Sequence, residues 1–299
     1  MVLKTLDNLV ELARDKGKRK LAVAAADDED ILIAVRNALE AGLIEPLLIG
    51  DKERIKTAAA KAGLNISSLE LLEEPDPAVA CTLAARIIAE GKASILMKGM
   101  VSTGTLMKAV LDKELGLTND HLLSHVAFFE SPYYHKLFCV TDAAMNIAPD
   151  LSEKAIIIQN AVKVCHALGI KTPKVGVLGA VETVNPKMEA TLHAAMLKAM
   201  NQRNQITGCI IDGPFALDNA VSAEAAHHKK IQSEVAGDVD ILVTPDINSG
   251  NILYKALNFL GGAVTAAIIT GAEAPVVLTS RADSEKSKYF SIALAAALD

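Results

Sequence analysis

Tryptophan is absent from this 299-residue chain, and phenylalanine and tyrosine make up only 3% of it. The core must therefore be filled by Ala, Val, Ile and Leu, a composition that suits layers of helix on parallel strand. Cysteine is scarce too. Cys81, Cys139, Cys165 and Cys209 lie far apart with no C-x-x-C spacing, and three sit in apolar stretches. That predicts buried thiols in a reducing compartment. Positive charge is in deficit: the net charge of −6 leaves no general basic face for nucleic acid. A local cluster of Lys and Arg still suits an anionic small substrate. Long apolar runs are missing as well. The most apolar window, Gly261 to Leu278, is broken by Glu273 and Pro275, too interrupted to span a bilayer. Met1 to Lys20 alternates charged and apolar residues without a signal-peptide core. The expectation is a cytoplasmic protein with no membrane and no nucleic-acid partner.

What is present is 51% hydrophobic residue, enough for one large domain or two of medium size. Helical stripes and short β-branched runs alternate through the first part of the chain, with helices expected at 3–17, 27–42, 52–62 and 77–91 and strands at 21–26, 46–49, 66–72 and 93–97. Such alternation predicts an α/β fold with a parallel sheet covered on both faces. From His121 to Thr141 two extended runs flank Ser131-Pro132-Tyr133-Tyr134, the pattern of a hairpin. Alternation then resumes, with helices at 152–168, 187–201 and 224–233, strands at 175–178, 209–211, 241–243, 263–269 and 276–278, and a last helix over 283–298. The predicted division is residues 1–140 plus 275–299 in one α/β domain and 141–274 in a second.

Ligands of open α/β sheets collect beyond the carboxyl ends of the strands. The residues there are therefore the candidates. Ile241 to Val243 lead into Pro245-Asp246-Ile247-Asn248-Ser249-Gly250-Asn251 and then a helix. This reads either as an ordinary turn capped by Ser249 or Asn248, or as an anion site at the helix N-terminus. Ile95 to Met97 lead into Lys98-Gly99-Met100-Val101-Ser102-Thr103-Gly104-Thr105, with Lys108 one turn on. That is a capped helix start or a phosphate cradle, and it is not a Walker A loop. Asp142 and Asp212 each follow a strand, to cap a loop or to orient a basic side chain. His227-His228-Lys229-Lys230 reads as a solvated face, with a nucleotide phosphate as the alternative. Its spacing does not suit zinc. His125, in an apolar run, reads as a core histidine. Thr279-Ser280-Arg281 places hydroxyls and a fixed cation between a buried strand and the last helix.

Several of these blocks, in chain order, resemble the phosphate acetyltransferase/phosphate butyryltransferase family. They are Lys98 to Leu106, Thr141-Asp142-Ala143-Ala144-Met145-Asn146, Asp212-Gly213-Pro214 with Asp218, the Pro245 to Asn251 turn with its aromatic-Lys helix, and Ser280-Arg281. The resemblance implies a two-domain fold similar to isocitrate and isopropylmalate dehydrogenases, with the active-site cleft between domains, and a homodimer. It implies exchange of an acyl group between coenzyme A and inorganic phosphate. On that basis Ser280 contacts the thiol and Arg281 the acyl phosphate. Lys98, Ser102, Thr103 and Lys108, with Asp246, Asn248, Ser249, Gly250 and Asn251, are the expected substrate-binding residues. Coenzyme A is then a substrate, and neither a metal nor a further cofactor is implied.

There is one departure. Where the acetyl branch carries an Asp six residues after the Arg, this chain has Ser287, and Asp283 is the nearest carboxylate. Ser280-Arg281-Ala282-Asp283-Ser284 resembles the butyryl branch, which makes Asp283 the candidate base and a short acyl chain such as butyryl the expected group. Acetyl transfer is the alternative. A decarboxylating dehydrogenase using Asp142, Asp212 and Asp246 for a metal is a second reading, and a cleft-type binding protein a third.

Overall fold

The computed structural model describes residues 3–119, 121–279 and 283–298. Two compact units emerge: Leu6–Leu123 with Ala266–Asp299, and Met1–Thr5 with Ser124–Thr265. The first unit begins with α1 (Asp7–Lys16), β1 (Arg19–Ala24), α2 (Glu29–Glu40), β2 (Ile44–Gly50) and α3 (Lys52–Ala62). β3 (Glu70–Glu73), α4 (Pro77–Ala89), β4 (Ile95–Lys98) and α5 (Thr103–Val110) follow. The second unit holds β5 (Ser124–Glu130), β6 (Phe138–Thr141), α6 (Leu151–Ala167), β7 (Lys174–Leu178) and α7 (Glu189–Gln202). It continues with β8 (Ile210–Phe215), α8 (Leu217–Val221), α9 (Ala223–His228), β9 (Ile241–Val243) and α10 (Ile247–Phe259). β10 (Val264–Thr270), β11 (Val276–Val277) and α11 (Glu285–Ala296) complete the chain within the first unit, apart from the first residues of β10.

In the first unit the strand order is β3-β2-β1-β4-β11-β10, parallel from β3 to β11, with β10 antiparallel to β11. Leu21 to Ala24 and Ile95 to Met97 are buried, as expected of strands covered on both faces. Helix starts are written locally. Asp28 caps α2, Asp51 caps α3, and Asp76 caps α4 ahead of Pro77 at the first helical position, each carboxylate accepting main-chain N–H groups. The last helix, α11, buries residues on most of its circumference and packs against α1 and α2. In the second unit the order is β5-β6-β9-β7-β8, parallel except for the β5–β6 hairpin.

The hairpin explains where the division falls. Sequence put the switch after residue 140. The structure has β6 pairing in parallel with β9, so both hairpin strands belong to the second unit, which takes up the chain at Ser124. The strand expected at 66–72 survives only at its end. Asn65 folds an Asx turn instead, its side chain accepting from Ser67 N–H at 3.0 Å. The helix expected at 224–233 stops at His228, because Lys230 turns to φ 55°, and α8 precedes it unforeseen. Among the described residues no helix is long and apolar enough to cross a membrane.

Candidate active site

In the second unit, two turns leave adjacent parallel strands and lock together. Asp142, buried at the end of β6, accepts from Ala144 N–H (2.8 Å), Met145 N–H (3.0 Å) and Asn146 Nδ2 (2.6 Å). Of its two expected roles, loop capping is the one it plays. At the end of β9, Thr244 Oγ1 donates to the Asp142 carbonyl at 3.0 Å. The cap of α10 is neither Ser249 nor Asn248. Asp246 is the cap residue, its carboxylate accepting from Ser249 N–H at 3.0 Å while its own N–H donates to Ser249 Oγ at 3.3 Å. The reason is geometric: Asp246 is extended and stands three residues ahead of Ser249, so the two form a capping box. Gly250 is buried against the Asp142 carbonyl, and Asn251 Nδ2 donates to the Ala143 carbonyl at 3.1 Å. Thr244, Gly250 and Asn251 thus hold the turns to each other, the Asp246–Ser249 pair closes the start of α10, and Asn248 is exposed.

Near this pair of turns lies a residue that sequence reasoning missed. Lys154 on α6 is buried, with Nζ 2.7 Å from the Pro149 carbonyl and 3.0 Å from His193 Nδ1. Burial pushes its pKa down against the opposing pull of Glu189, Asp246, Asp150 and Glu153. Burial and the Lys154 charge push His193 down as well. Its Nδ1 is therefore assigned as the acceptor, with the proton on Nε2. The signal available in sequence was a lysine sharing the apolar helix face of Ile157, Ile158 and Ala161.

The remaining sequence candidates of this unit are engaged elsewhere. Asp212 pairs with Lys198 at 2.6 Å and accepts from Gly213 N–H at 2.8 Å. Lys229 pairs with Glu182 at 3.2 Å and lies 3.5 Å from Asp218. His125 is buried with its ring edge-on to Tyr254. Asp142, Asp212 and Asp246 each secure a different turn contact, and among the described residues no group of three or more His, Cys, Asp or Glu is arranged to hold a metal ion.

In the first unit the turn after β4 is clamped to the end of β1. Gly99 N–H donates to the Ala24 carbonyl (2.8 Å) and Met100 N–H to the Ala25 carbonyl (2.7 Å). A β-carbon on Gly99 would overlap the Ala25 carbonyl, so only glycine permits the approach. Lys98 is buried, with Nζ donating to the carbonyls of Gly99 (3.1 Å) and Val101 (3.3 Å). Its charge is held inside the turn, whereas Lys108 is exposed. Ser102 caps α5 by accepting from Thr105 N–H at 3.1 Å, and Ser102, Thr103 and Gly104 are exposed beside it.

Ser280 and Arg281 lie outside the described residues. Asp283 is half-buried, and its carbonyl accepts from Lys288 Nζ at 2.8 Å. Ser284 caps α11, accepting from Ser287 N–H at 3.1 Å, and the two hydroxyls lie 3.0 Å apart. Ser287 is buried in that cap and offers no carboxylate. The thiols are not poised for attack either. Burial raises Cys81 and Cys209 to about 11 and pushes Cys139 and Cys165 up further.

Two α/β units with polar turns at the strand ends define a dehydrogenase-like architecture. The solved structure of 4-hydroxythreonine-4-phosphate dehydrogenase from Klebsiella pneumoniae shares the fold (TM-score 0.57, 15% identity, covering 94% of this chain and 99% of that one). The match to the phosphate acetyl/butaryl transferase family model, over residues 4–78 and 73–296, is more specific. The chain is 46% identical over 295 residues to phosphate butyryltransferase from Clostridium acetobutylicum, covering 99% of this chain and 98% of that protein. It is 48% identical over 291 residues to phosphate acetyltransferase from Thermotoga maritima, covering 97% and 98%. A branched-chain phosphotransacylase from Enterococcus faecalis V583 superposes with a TM-score of 0.82 at 36% identity, covering 93% of this chain and 98% of that chain. The chain belongs to the phosphate acetyl/butaryl transferase family, and so to the acyltransferases.

Proposed function

We propose that this protein interconverts acyl-CoA plus inorganic phosphate with acyl phosphate plus coenzyme A, with butyryl or a similar short chain as the acyl group. The observation that carries the reading is the near full-length identity to phosphate butyryltransferase. Acetyl transfer is the second reading, because the identity to a phosphate acetyltransferase is as high.

In the forward direction a phosphate oxygen attacks the thioester carbonyl carbon. A carbon–oxygen bond forms, the carbon–sulfur bond breaks, and the sulfur leaves as thiolate and takes a proton. In reverse the thiol must first lose that proton. A thiol of pKa near 8.5 needs about 2 kcal/mol of stabilisation to be half ionised at pH 7. Ser280 as a hydrogen-bond donor and Arg281 as a fixed cation suit that task, since one donor aimed at developing charge is worth about 3–4 kcal/mol. Asp283 is the candidate base. With all four cysteine pKa values raised by burial, direct transfer between phosphate and coenzyme A suits the chain better than an acyl-cysteine intermediate.

Ser102 and Thr103 at the start of α5, Lys108 in its last turn, and Asn248 at the start of α10 are exposed polar groups suited to the coenzyme. No metal or further cofactor enters the reaction as written. The reading includes a cytoplasmic location, which four free cysteines suit. It also includes a homodimer. α10 buries only Gly250 and exposes Ile252 and Phe259, with Leu260 exposed just beyond, an apolar surface for a second copy to cover. The test is thiol release from acetyl-, propionyl-, butyryl- and isobutyryl-CoA with and without phosphate. Phosphate-dependent release supports the reading, and its absence with every thioester removes it.

A further inference from the structure

Two lysines of the first unit are almost completely buried at the carboxyl end of its sheet. Lys98, at the end of β4, is 6% exposed, and Lys288, on α11, is 3% exposed. Both line one cavity of about 100 Å³, together with Asp28, Asp30, Ile31, Gly99, Met100 and Thr279. Thr279 is 4% exposed, and its hydroxyl has no hydrogen-bond partner. A buried hydroxyl left unpaired costs free energy, which a bound ion or water at this cavity would offset.

The carboxylates at the cavity are already committed. Asp28 caps α2 through Ile31 N–H at 2.9 Å, and Asp30 lies 3.4 Å from Lys288 Nζ. Lys288 also donates to the Asp283 carbonyl at 2.8 Å, and Lys98 to the carbonyls of Gly99 and Val101. Two ammonium groups and an unsatisfied hydroxyl therefore converge on one space. Its volume is well below the roughly 300–1,000 Å³ of pockets that enclose drug-sized ligands, so it suits a small ion and excludes a nucleotide or an acyl chain.

We infer that this cavity is the seat of inorganic phosphate, with Thr279, Lys98 and Lys288 as its binding groups. The inference rests on the acyl-transfer reading, which supplies phosphate as the second substrate. Ammonium groups form charge-assisted bonds to phosphate oxygens, and Thr279 immediately precedes the Ser280-Arg281 pair in the chain. Lys288 also holds the Asp283 carbonyl, two positions beyond that pair in the chain.

The same chemistry would also suit a phosphate group of coenzyme A, and kinetics separate the two sources. Thr279→Val keeps the shape and removes the hydroxyl. It is expected to raise the KM for phosphate by about tenfold, with the KM for butyryl-CoA unchanged within about twofold. Thr279→Ser, which restores the hydroxyl, should return it toward wild type. Lys288→Met is expected to raise the phosphate KM further and to lower kcat through the lost tie to Asp283. Calorimetric titration of wild type and Thr279→Val with inorganic phosphate alone should show the same weakening. An unchanged phosphate KM in an active Thr279→Val variant overturns the inference, and a rise in the butyryl-CoA KM alone reassigns the seat to the coenzyme. If wild type releases no thiol from any acyl-CoA, the acyl-transfer reading fails. The calorimetric arm then still decides the cavity: phosphate binding weakened by Thr279→Val supports the seat, and equal binding overturns it.

Discussion

Gly250 and the carbonyl oxygen of Asp142 are packed so closely that a β-carbon on Gly250 would overlap that oxygen and stand 2.7 Å from Thr244 Oγ1. The contact joins turns that leave two neighbouring strands, β6 and β9, where Val140 pairs with Leu242. The glycine in the Asn248-Ser249-Gly250 turn therefore serves a backbone contact inside the unit.

Gly250→Ala is accordingly expected to destabilise the protein by about 1–3 kcal/mol, the usual cost of forcing an atom into a packed site. Gly104 makes the control. A β-carbon there meets only Ser102 Oγ at 4.0 Å, and Ala should be neutral or stabilising by up to about 1 kcal/mol. Urea midpoints of the two variants decide it. Equal midpoints would mean the two turns are not coupled through Gly250.

Arg281→Ala is expected to lower kcat by about 10²–10³-fold with the urea midpoint unchanged. Lys should restore only part, because it lacks the planar fork that grips two oxygens at once. An Ala variant within about threefold of wild type removes Arg281 from the chemistry.

Asp238 governs part of the acid response. Burial alone would raise its pKa, but hydrogen bonds from Lys174, Lys136 and His135 hold it far below the usual carboxylate range. A carboxyl depressed in the folded state contributes stability that is present above its unfolded pKa, about 3.9, and lost as pH falls below it. Because Asp238 is partly exposed, solvent screens the network, and Asp238→Asn should cost about 1 kcal/mol at pH 7. That deficit should shrink as pH falls below about 4, where the unfolded chain takes up the proton that the native network excludes. A difference independent of pH would show that the side chain acts through shape.

Acyl preference follows from the two methylenes that butyryl adds to acetyl. At about 0.8 kcal/mol each they amount to about 1.6 kcal/mol, or roughly fifteenfold in kcat/KM. Discrimination between butyryl and isobutyryl should be weaker, since the two carry the same number of carbons. The measurement is kcat/KM across the four thioesters at fixed phosphate. Equal or higher efficiency with acetyl-CoA places the chain with the acetyl enzymes.

Much of this protein is determined by short stretches of its sequence. Lys52 to Ala62 forms its helix over the expected bounds, and Leu21 to Ala24 and Ile241 to Val243 form buried strands, because periodicity and burial act within a few residues. The family is likewise legible from ordered blocks near the strand ends. What each polar residue does was decided by the tertiary structure. Asp246 took the cap expected of Ser249 or Asn248, and Lys98 turned inward to two carbonyls of its own turn. The hairpin joined the second unit through pairing with a strand about 100 residues away. Lys288 read as one more charge on the last helix, yet α11 folds back on α2 and seals its ammonium beside Asp30 and the unpaired hydroxyl of Thr279. Capping and periodicity depend on neighbours a few positions apart, so sequence carries them. Burial of a lysine, or contact of a glycine with a distant carbonyl, depends on which elements pack together, and only the assembled fold supplies that.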